Sequence, residues 1–303
     1  MHHSLAGIIL GCILAAPTAQ ALAQRTNDLP SRIVSASRSL DQGDLETVRS
    51  FASTWGDRIA NGTPAEVNEA RAELISVARS PSATPIFRRA YGEAVISELQ
   101  SSISGDDTFR AINAMQAVRF LRTPDAVTVV LDHADPDREA NLSKRLVAAG
   151  LLASAIVDAE LNPAQLDGTT RRIASMAAAE TEWMILLQSM EALDSIARLP
   201  NAPAASVALA RRSQVSTLEG AVSRMKGSPE LVEAVYRSLL ELRNQLVRMS
   251  ARERAEFARQ FGPVFASAEQ AARSGLDTAP ASMRPTFEKT AQQAEVLANL
   301  TRN

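Results

Sequence analysis

The chain has 303 residues, of which 46% are hydrophobic but only 4% aromatic. Its 32 basic and 34 acidic side chains give a formal net charge of −2, which excludes a strongly basic nucleic-acid-binding protein and an acidic disordered tail. With 13 glycines and 14 prolines, the chain is neither collagen-like nor of low complexity. This composition predicts a folded, alanine-rich, all-α protein with a large packed core.

The N-terminal 24 residues are typical of an export signal, because they contain no Asp, Glu, Lys or Arg. Residues 5–16 form a continuous apolar or small run that is too short to span a bilayer. Two A-x-A patterns follow, the second ending at Ala23. We predict that residues 1–23 are a signal peptide cleaved after Ala23. Since arginine greatly outnumbers lysine, which suggests a GC-rich bacterial genome, the expected location is periplasmic or secreted.

Two alternatives to cleavage after Ala23 stay open. The apolar run could remain as an uncleaved anchor. Residues 9–12 resemble a bacterial lipobox, in which Cys12 would become a lipidated N-terminus, although this cysteine lies inside the apolar run rather than at its end. No later segment reaches 18 consecutive apolar residues, so no integral membrane span is expected after cleavage.

The residues that are missing limit the possible chemistry. Cys12 is the only cysteine, so a mature chain would have no disulfide, no thiolate nucleophile and no cysteine-bound metal. His133 is the only histidine outside the predicted signal peptide. The sequence also lacks G-x-S-x-G, Walker, G-x-G-x-x-G and H-E-x-x-H motifs. These absences favour a non-enzymatic protein without a cofactor.

Helix starts are marked by a capping residue followed by proline. Thr63-Pro64 is followed by Glu66 at the capping-box position, where it satisfies a free backbone amide. A further capping box begins at Ser250. Comparable starts are Thr84-Pro85, Thr123-Pro124, Asp135-Pro136, Asn162-Pro163 and Ser228-Pro229.

Apolar residues recur at helical spacing between these starts. The best candidate for a strand is residues 127–131, but it lies between two predicted helix starts, so we predict a short buried helix there. Residues 183–187 are apolar around nearly the whole circumference of a helix, which predicts a central buried helix.

The starts at Thr84, Thr123 and Asn162 are separated by 39 and 39 residues, which predicts a repeat of two helices per unit. The second helices would carry similar small-then-branched segments: residues 115–118, 148–151 and 190–193.

Residues 105–110 and 135–140 both place an acidic turn and an arginine before an alanine-rich stretch. In this the chain resembles HEAT-like helical-repeat proteins over about residues 84–200. Two details depart from the pattern: the alanines after Arg110 come one position late, and no branched residue precedes Arg138. The resemblance implies a right-handed α-solenoid of HEAT-like helix pairs that binds through an extended surface.

The last third of the chain has a different pattern. Its apolar positions form a heptad seam at residues 232–249, followed by Phe257, Phe261 and Phe265. Gly262-Pro263 is predicted to kink or break the helix that carries these phenylalanines. A last helix follows Pro285, and together these helices predict a C-terminal antiparallel bundle or cap.

The predicted organisation has four parts. Residues 1–23 are the signal peptide, and residues 24–43 are a linker or short helix. The HEAT-like repeats occupy residues 44–200, and the C-terminal helical bundle occupies residues 201–303.

The only place where a histidine meets several carboxylates is the segment with Asp132, His133, Asp135 and Asp137. These four residues are candidate ligands for a divalent cation. Alternatively, His133 could act as a general base. The favoured interpretation is a helix N-terminus that Asp135 caps. The phenylalanine stripe is predicted to be core rather than a ligand groove. Paired arginines, such as Arg88-Arg89, could bind anions but are better interpreted as a solvated helix face.

Three functions fit the sequence. The first is an exported, non-enzymatic binding or scaffold protein whose partner is another protein or an envelope component, not nucleic acid. The second is a helical-toroid enzyme using carboxylate and arginine chemistry, which a buried carboxylate pair in a central pocket would favour. The third is a structural cell-envelope protein that self-associates through the 232–249 seam. The sequence leaves the oligomeric state open.

Overall fold

The computed structural model describes residues 29–302, of which 78% are helical, and no strand occurs in this part of the chain. The predicted all-α class is confirmed. No helix within residues 29–302 is long and apolar enough to cross a membrane. The predicted signal peptide, including Cys12 and Ala23, lies outside the described residues.

Thirteen helices occur between residues 29 and 302. They are α1 Ser31–Val34, α2 Gln42–Asn61, α3 Pro64–Ala78, α4 Pro85–Ser104, α5 Thr108–Arg119, α6 Pro124–Ala134, α7 Leu142–Asp158, α8 Pro163–Ala179, α9 Trp183–Ala197, α10 Ala204–Arg224, α11 Leu231–Arg248, α12 Ala251–Gly275 and α13 Arg284–Arg302. After the short α1, they follow one another as six pairs, α2/α3 to α12/α13, whose two members pack together.

The predicted starts with 39-residue spacing are confirmed. Thr84, Thr123 and Asn162 cap α4, α6 and α8, and each accepts a hydrogen bond from a backbone amide of the first turn. Each cap is followed by proline. Proline has no backbone N–H, but an N–H at the first helical position has no acceptor within the helix, so no hydrogen bond is lost. Thr63 and Ser250 form the two predicted capping boxes. Residues 127–131 lie in α6, as predicted.

The predicted helix start at Asp135-Pro136 is wrong. Asp135 follows the last residue of α6, and its carboxylate accepts from the backbone N–H of Asp137 at 3.0 Å in a turn. The next helix begins at Leu142, because Asn141 caps it and also donates to Thr108 Oγ1 at 3.0 Å on α5. A tertiary hydrogen bond therefore supports the later start.

Of the two outcomes predicted at Gly262-Pro263, a kink or a break, the break is wrong, because α12 continues to Gly275 with Pro263 inside it. Proline removes one backbone donor from the helix. Phe261 and Phe265 flank that point and are fully buried. Their burial keeps the helix continuous in spite of the lost hydrogen bond.

Packing follows the order of the chain. The substantial contacts join helices that are at most three positions apart in sequence. Alternate helices pack side by side, so that α3, α5, α7, α9, α11 and α13 form one continuous row.

The buried apolar residues form two clusters, one spanning residues 33–210 and the other residues 177–298. Helix α9 serves both, because Ile185 and Leu193 belong to the first cluster whereas Leu186 and Met190 belong to the second. The predicted core position of the phenylalanine stripe is confirmed, since Phe257, Phe261 and Phe265 are at most 4% exposed.

Candidate functional site

The structure places the predicted cation ligands among basic side chains. The Arg172 guanidinium contacts the Asp132 carboxylate and lies 3.4 Å from that of Asp135. Arg138 Nη1 lies 3.1 Å from Asp132 Oδ1, the oxygen that Arg172 also contacts. Asp137 uses its backbone N–H to bind Asp135. Two of the four predicted ligands, Asp132 and Asp135, are therefore in ion pairs that link the end of α6 and the residue after it to α8.

His133 belongs to a different set of contacts, with two residues that the sequence did not single out. Its Nδ1 lies 3.0 Å from Glu139 Oε2, and Lys144 Nζ lies 3.7 Å from the same oxygen. Burial raises the pKa of Glu139, but the backbone N–H of Asn141, His133 and Lys144 outweigh it and leave the pKa below its usual range. Within residues 29–302, no group of three or more His, Cys, Asp and Glu side chains is arranged to hold a metal ion.

A groove between α7, α9 and α11 is a better candidate site. Its lining positions advance together along the three helices, so the helices run parallel. It consists of an apolar recess of about 360 Å³ and a cleft of about 390 Å³ with mixed lining, which share Leu187 and Arg237. The cleft, to which α10 contributes Gln214 and Leu218, carries most of the charged side chains, so we call it the polar end. We call the recess and the cleft together the α7–α9–α11 groove.

The predicted central buried helix is confirmed for most of α9, where Ile185 and Leu186 are fully buried, but the apolar end of the groove departs from it. Met184 is 40% exposed, and Trp183 and Leu187 are only half-buried. Helix α9 packs against α7, α10 and α11, but the face between α7 and α11 stays open, and Leu146 and Val147 line it from α7. An apolar surface around an aromatic ring is thus available to a partner.

Arg237 borders this apolar end. Its guanidinium lies 5.3 Å from the centre of the Trp183 ring, and its Nε donates to Glu233 at 2.6 Å. The cation above the ring and the ion pair together fix the edge of the groove.

The polar end is built around Asp194, whose side chain is 4% exposed. Its carboxylate accepts from Arg211 and Gln245 at 3.0 Å each and forms an ion pair with Arg198 at 2.6 Å. These three partners compensate the buried charge, so Asp194 links α9 to α10 and α11.

Glu191 and Glu241 also line the polar end, but both are exposed. Partial burial and the charges of Glu241 and Asp194 raise the pKa of Glu191. The buried carboxylate pair that would favour the enzyme hypothesis is therefore not formed by these two residues. No signal in the sequence indicated that Glu191 and Glu241 would face the same groove, because that depends on how α9 packs against α11.

The paired arginines Arg88 and Arg89 line a separate cleft of about 400 Å³. Three arginines there face three carboxylates: Arg88, Arg89 and Arg122 against Asp125, Asp158 and Glu160. This balance leaves no positive excess to favour an anion.

The comparisons with known proteins add little. No family model matches the chain, and no curated protein matches it. The chain is similar to the crystal structure of an engineered protein, Northeast Structural Genomics Consortium target OR329, at 12% sequence identity and a TM-score of 0.41. That similarity covers 81% of this chain and 97% of the engineered one.

Proposed function

We propose that this chain is an exported, non-enzymatic binding or scaffold protein that holds a partner in the α7–α9–α11 groove. The observation that carries the proposal is the open apolar end, where Trp183, Met184 and Leu187 are accessible in a helix that the sequence predicts to be buried. A concave apolar surface with an aromatic residue beside polar side chains is a common form of protein-binding site. The partner is another protein or an envelope component.

We further propose that the helices form an α-solenoid of HEAT-like pairs with a C-terminal bundle. The six consecutive pairs and the row of alternate helices support this arrangement. A compact globule of this length would have a radius of gyration of about 19 Å. Small-angle scattering on the mature monomer should give a clearly larger value, and a value near 19 Å would contradict a solenoid.

The other two functions have less support. The seam at residues 232–249 is occupied within the chain, because Val232, Leu239 and Leu246 are at most 2% exposed. Self-association through this seam would require the C-terminal cluster to open. The enzyme hypothesis lacks a buried carboxylate pair at the polar end of the groove, where Glu191 and Glu241 are exposed.

The binding proposal is tested by placing a charged side chain on the apolar surface of the groove. We expect Met184→Glu to fold normally, because an acidic residue at the second position of a helix is favoured by the helix dipole. The variant should lose the envelope proteins that the immobilised mature chain retains from a bacterial envelope extract. Val296→Glu is the matched control, since Val296 is 39% exposed on α13, away from the groove. Equal retention by the wild type and both variants would contradict the proposal.

Export is tested separately by intact-mass analysis of the exported chain, which should begin at Gln24. Retention of residues 1–23, or a lipid on Cys12, would overturn it.

A further inference from the structure

Two carboxylates at the polar end of the groove have no basic partner within residues 29–302. Two arginines, Arg198 and Arg237, line the cleft with Glu191 and Glu241, but each is already engaged in an ion pair. Arg198 and Arg211 bind Asp194, at 2.6 and 3.0 Å. Arg237 binds Glu233 at 2.6 Å. The lining of this end therefore has three carboxylates, Glu191, Asp194 and Glu241, against two arginines, which is an excess of one negative charge.

The same two glutamates repel each other. Their proximity contributes to the raised pKa of Glu191, after partial burial. A cationic group placed between them would remove this repulsion and form two new ion pairs. The electrostatic conditions at this end thus favour a positively charged partner.

The apolar end lies at a defined distance from these charges. Glu191 follows Leu187 by one helical turn and Trp183 by two, which corresponds to about 6 and 12 Å along the axis of α9. A bound helical segment would meet both ends if a basic residue lay one to two turns from its apolar anchors.

We propose that the α7–α9–α11 groove binds a cationic amphipathic segment of a partner protein, with its apolar side chains against Trp183, Met184 and Leu187 and a Lys or Arg between Glu191 and Glu241. This inference rests on the proposed binding function and adds the chemistry of the partner.

The probe is a synthetic helical peptide of about 16 residues, long enough to form four turns, with leucines on one face and lysines beside them. A twin peptide carries glutamate in place of every lysine, and neither contains tryptophan. The protein is the full mature chain with Trp55→Phe, so that Trp183 is its only tryptophan. Trp55 is buried in α2, whereas Trp183 lines the groove. The fluorescence of Trp183 therefore reports directly whether a peptide occupies the groove.

We expect the lysine peptide to change Trp183 emission in a saturable manner and to bind about tenfold more tightly than the glutamate twin, as two exposed ion pairs allow. The double variant Glu191→Gln with Glu241→Gln should bind the lysine peptide about tenfold more weakly. A matched variant, Glu219→Gln with Glu288→Gln, removes two exposed carboxylates outside the groove and should bind like the wild type. Circular dichroism checks that all variants are equally helical.

Equal affinity for the two peptides would overturn the proposed charge preference. An unchanged affinity in the Glu191 and Glu241 variant would do the same. If neither peptide binds while Met184→Glu still loses the envelope partner, the inference fails and the binding function stands. If wild-type chains instead dimerise through the groove, with Met184→Glu monomeric, the occupant is a second copy and the inference is overturned.

Discussion

The N-terminal and C-terminal pairs emphasise different contacts between or along their helices. Between α2 and α7, a basic side chain at the third position of one helix reaches the carbonyl groups at the end of an earlier helix. Arg110 of α5 donates to Ile59 and Gly62 at 2.7 and 3.0 Å. Lys144 of α7 repeats this with two carbonyls at the end of α4, at 3.2 and 2.6 Å. In each case one acceptor is the glycine that follows the helix.

In the C-terminal pairs the prominent feature is an aromatic stripe on α12. Phe257 and Phe261 stack with ring centres 4.4 Å apart, and Phe265 lies 6.1 Å from Phe261. A side chain on Gly275 would come within 2.4 Å of the Phe287 ring, so glycine permits α13 to lie close to α12.

The difference shows how an aromatic-poor chain holds long helices together. Both regions bury aromatic rings, since Phe87 and Tyr91 of α4 are fully buried and stack with ring centres 5.3 Å apart. Both also add charge-assisted hydrogen bonds to the free carbonyls at helix ends, since Arg224 of α10 donates to Glu180 and Ala177. The regions differ in emphasis: cations at helix starts recur between α2 and α7, whereas three phenylalanines form one buried stripe on α12. Substitutions at these two features should act through different physical terms.

The largest effect should come from Phe261→Ala in the C-terminal cluster. Loss of a fully buried ring that stacks on two others should lower the free energy of unfolding by about 3–5 kcal/mol. Urea denaturation measures the change, and hydrogen exchange should locate it in α11 to α13. Phe109→Ala is the control, because Phe109 is 43% exposed. A similar loss in both variants would contradict the aromatic-core account.

A smaller effect is expected from Lys144→Met in the N-terminal pairs. The substitution keeps the apolar stem but leaves two carbonyls and the Glu139 carboxylate without their cation. We expect a loss of about 2–3 kcal/mol by urea denaturation. Lys289→Met removes an exposed lysine of α13 and should be nearly neutral. If Lys144→Met is equally neutral, the carbonyl contacts of the N-terminal pairs do not contribute to stability.

Gly275→Ala should have a smaller effect again, about 1–3 kcal/mol, because the added methyl group overlaps the Phe287 ring. A double-mutant cycle with Phe287→Leu provides the test. The smaller side chain should relieve most of the overlap, so that Gly275→Ala costs less in that background. Additive losses would show that the close approach of α12 and α13 is not the cause.

The smallest effect should be shared by both regions. Hydrogen bonds from Thr63 lower the pKa of Glu66 in α3, and hydrogen bonds from Ser250 lower that of Glu253 in α12. A carboxylate with a lowered pKa in the folded state stabilises the fold above its unfolded pKa and loses that contribution as the pH falls. NMR titration should show both groups protonating below the usual range of glutamate. Thr63→Ala and Ser250→Ala remove the hydroxyl but keep the backbone N–H, so both pKa values should move part of the way back toward the usual range, whereas unchanged values would exclude the hydroxyls as a cause.

The predictions that succeeded depended on local interactions. A cap and a proline act within one turn, so Thr84, Thr123 and Asn162 could be recognised as helix starts without knowledge of any partner. The buried position of Phe257, Phe261 and Phe265 followed from their spacing on one helix face.

The predictions that failed involved distant residues. Asp135 resembles an N-cap in sequence, but Asn141 and its bond to Thr108 move the helix start downstream. Pro263 resembles a helix break, but burial of the neighbouring phenylalanines outweighs one missing hydrogen bond.

The sequence by itself determined the all-α class and most of the helix starts, because helical period and end capping are interactions among residues a few positions apart. Only the tertiary structure decided which face of α9 stays open and which carboxylates meet there. Trp183 and Glu191 become part of one groove with Glu241 because α9 packs parallel to α11, and Asp194 is buried because Arg211 and Gln245 reach it from other helices. Exposure and charge pairing depend on neighbours that are distant in the chain, and helical periodicity carries no information about them.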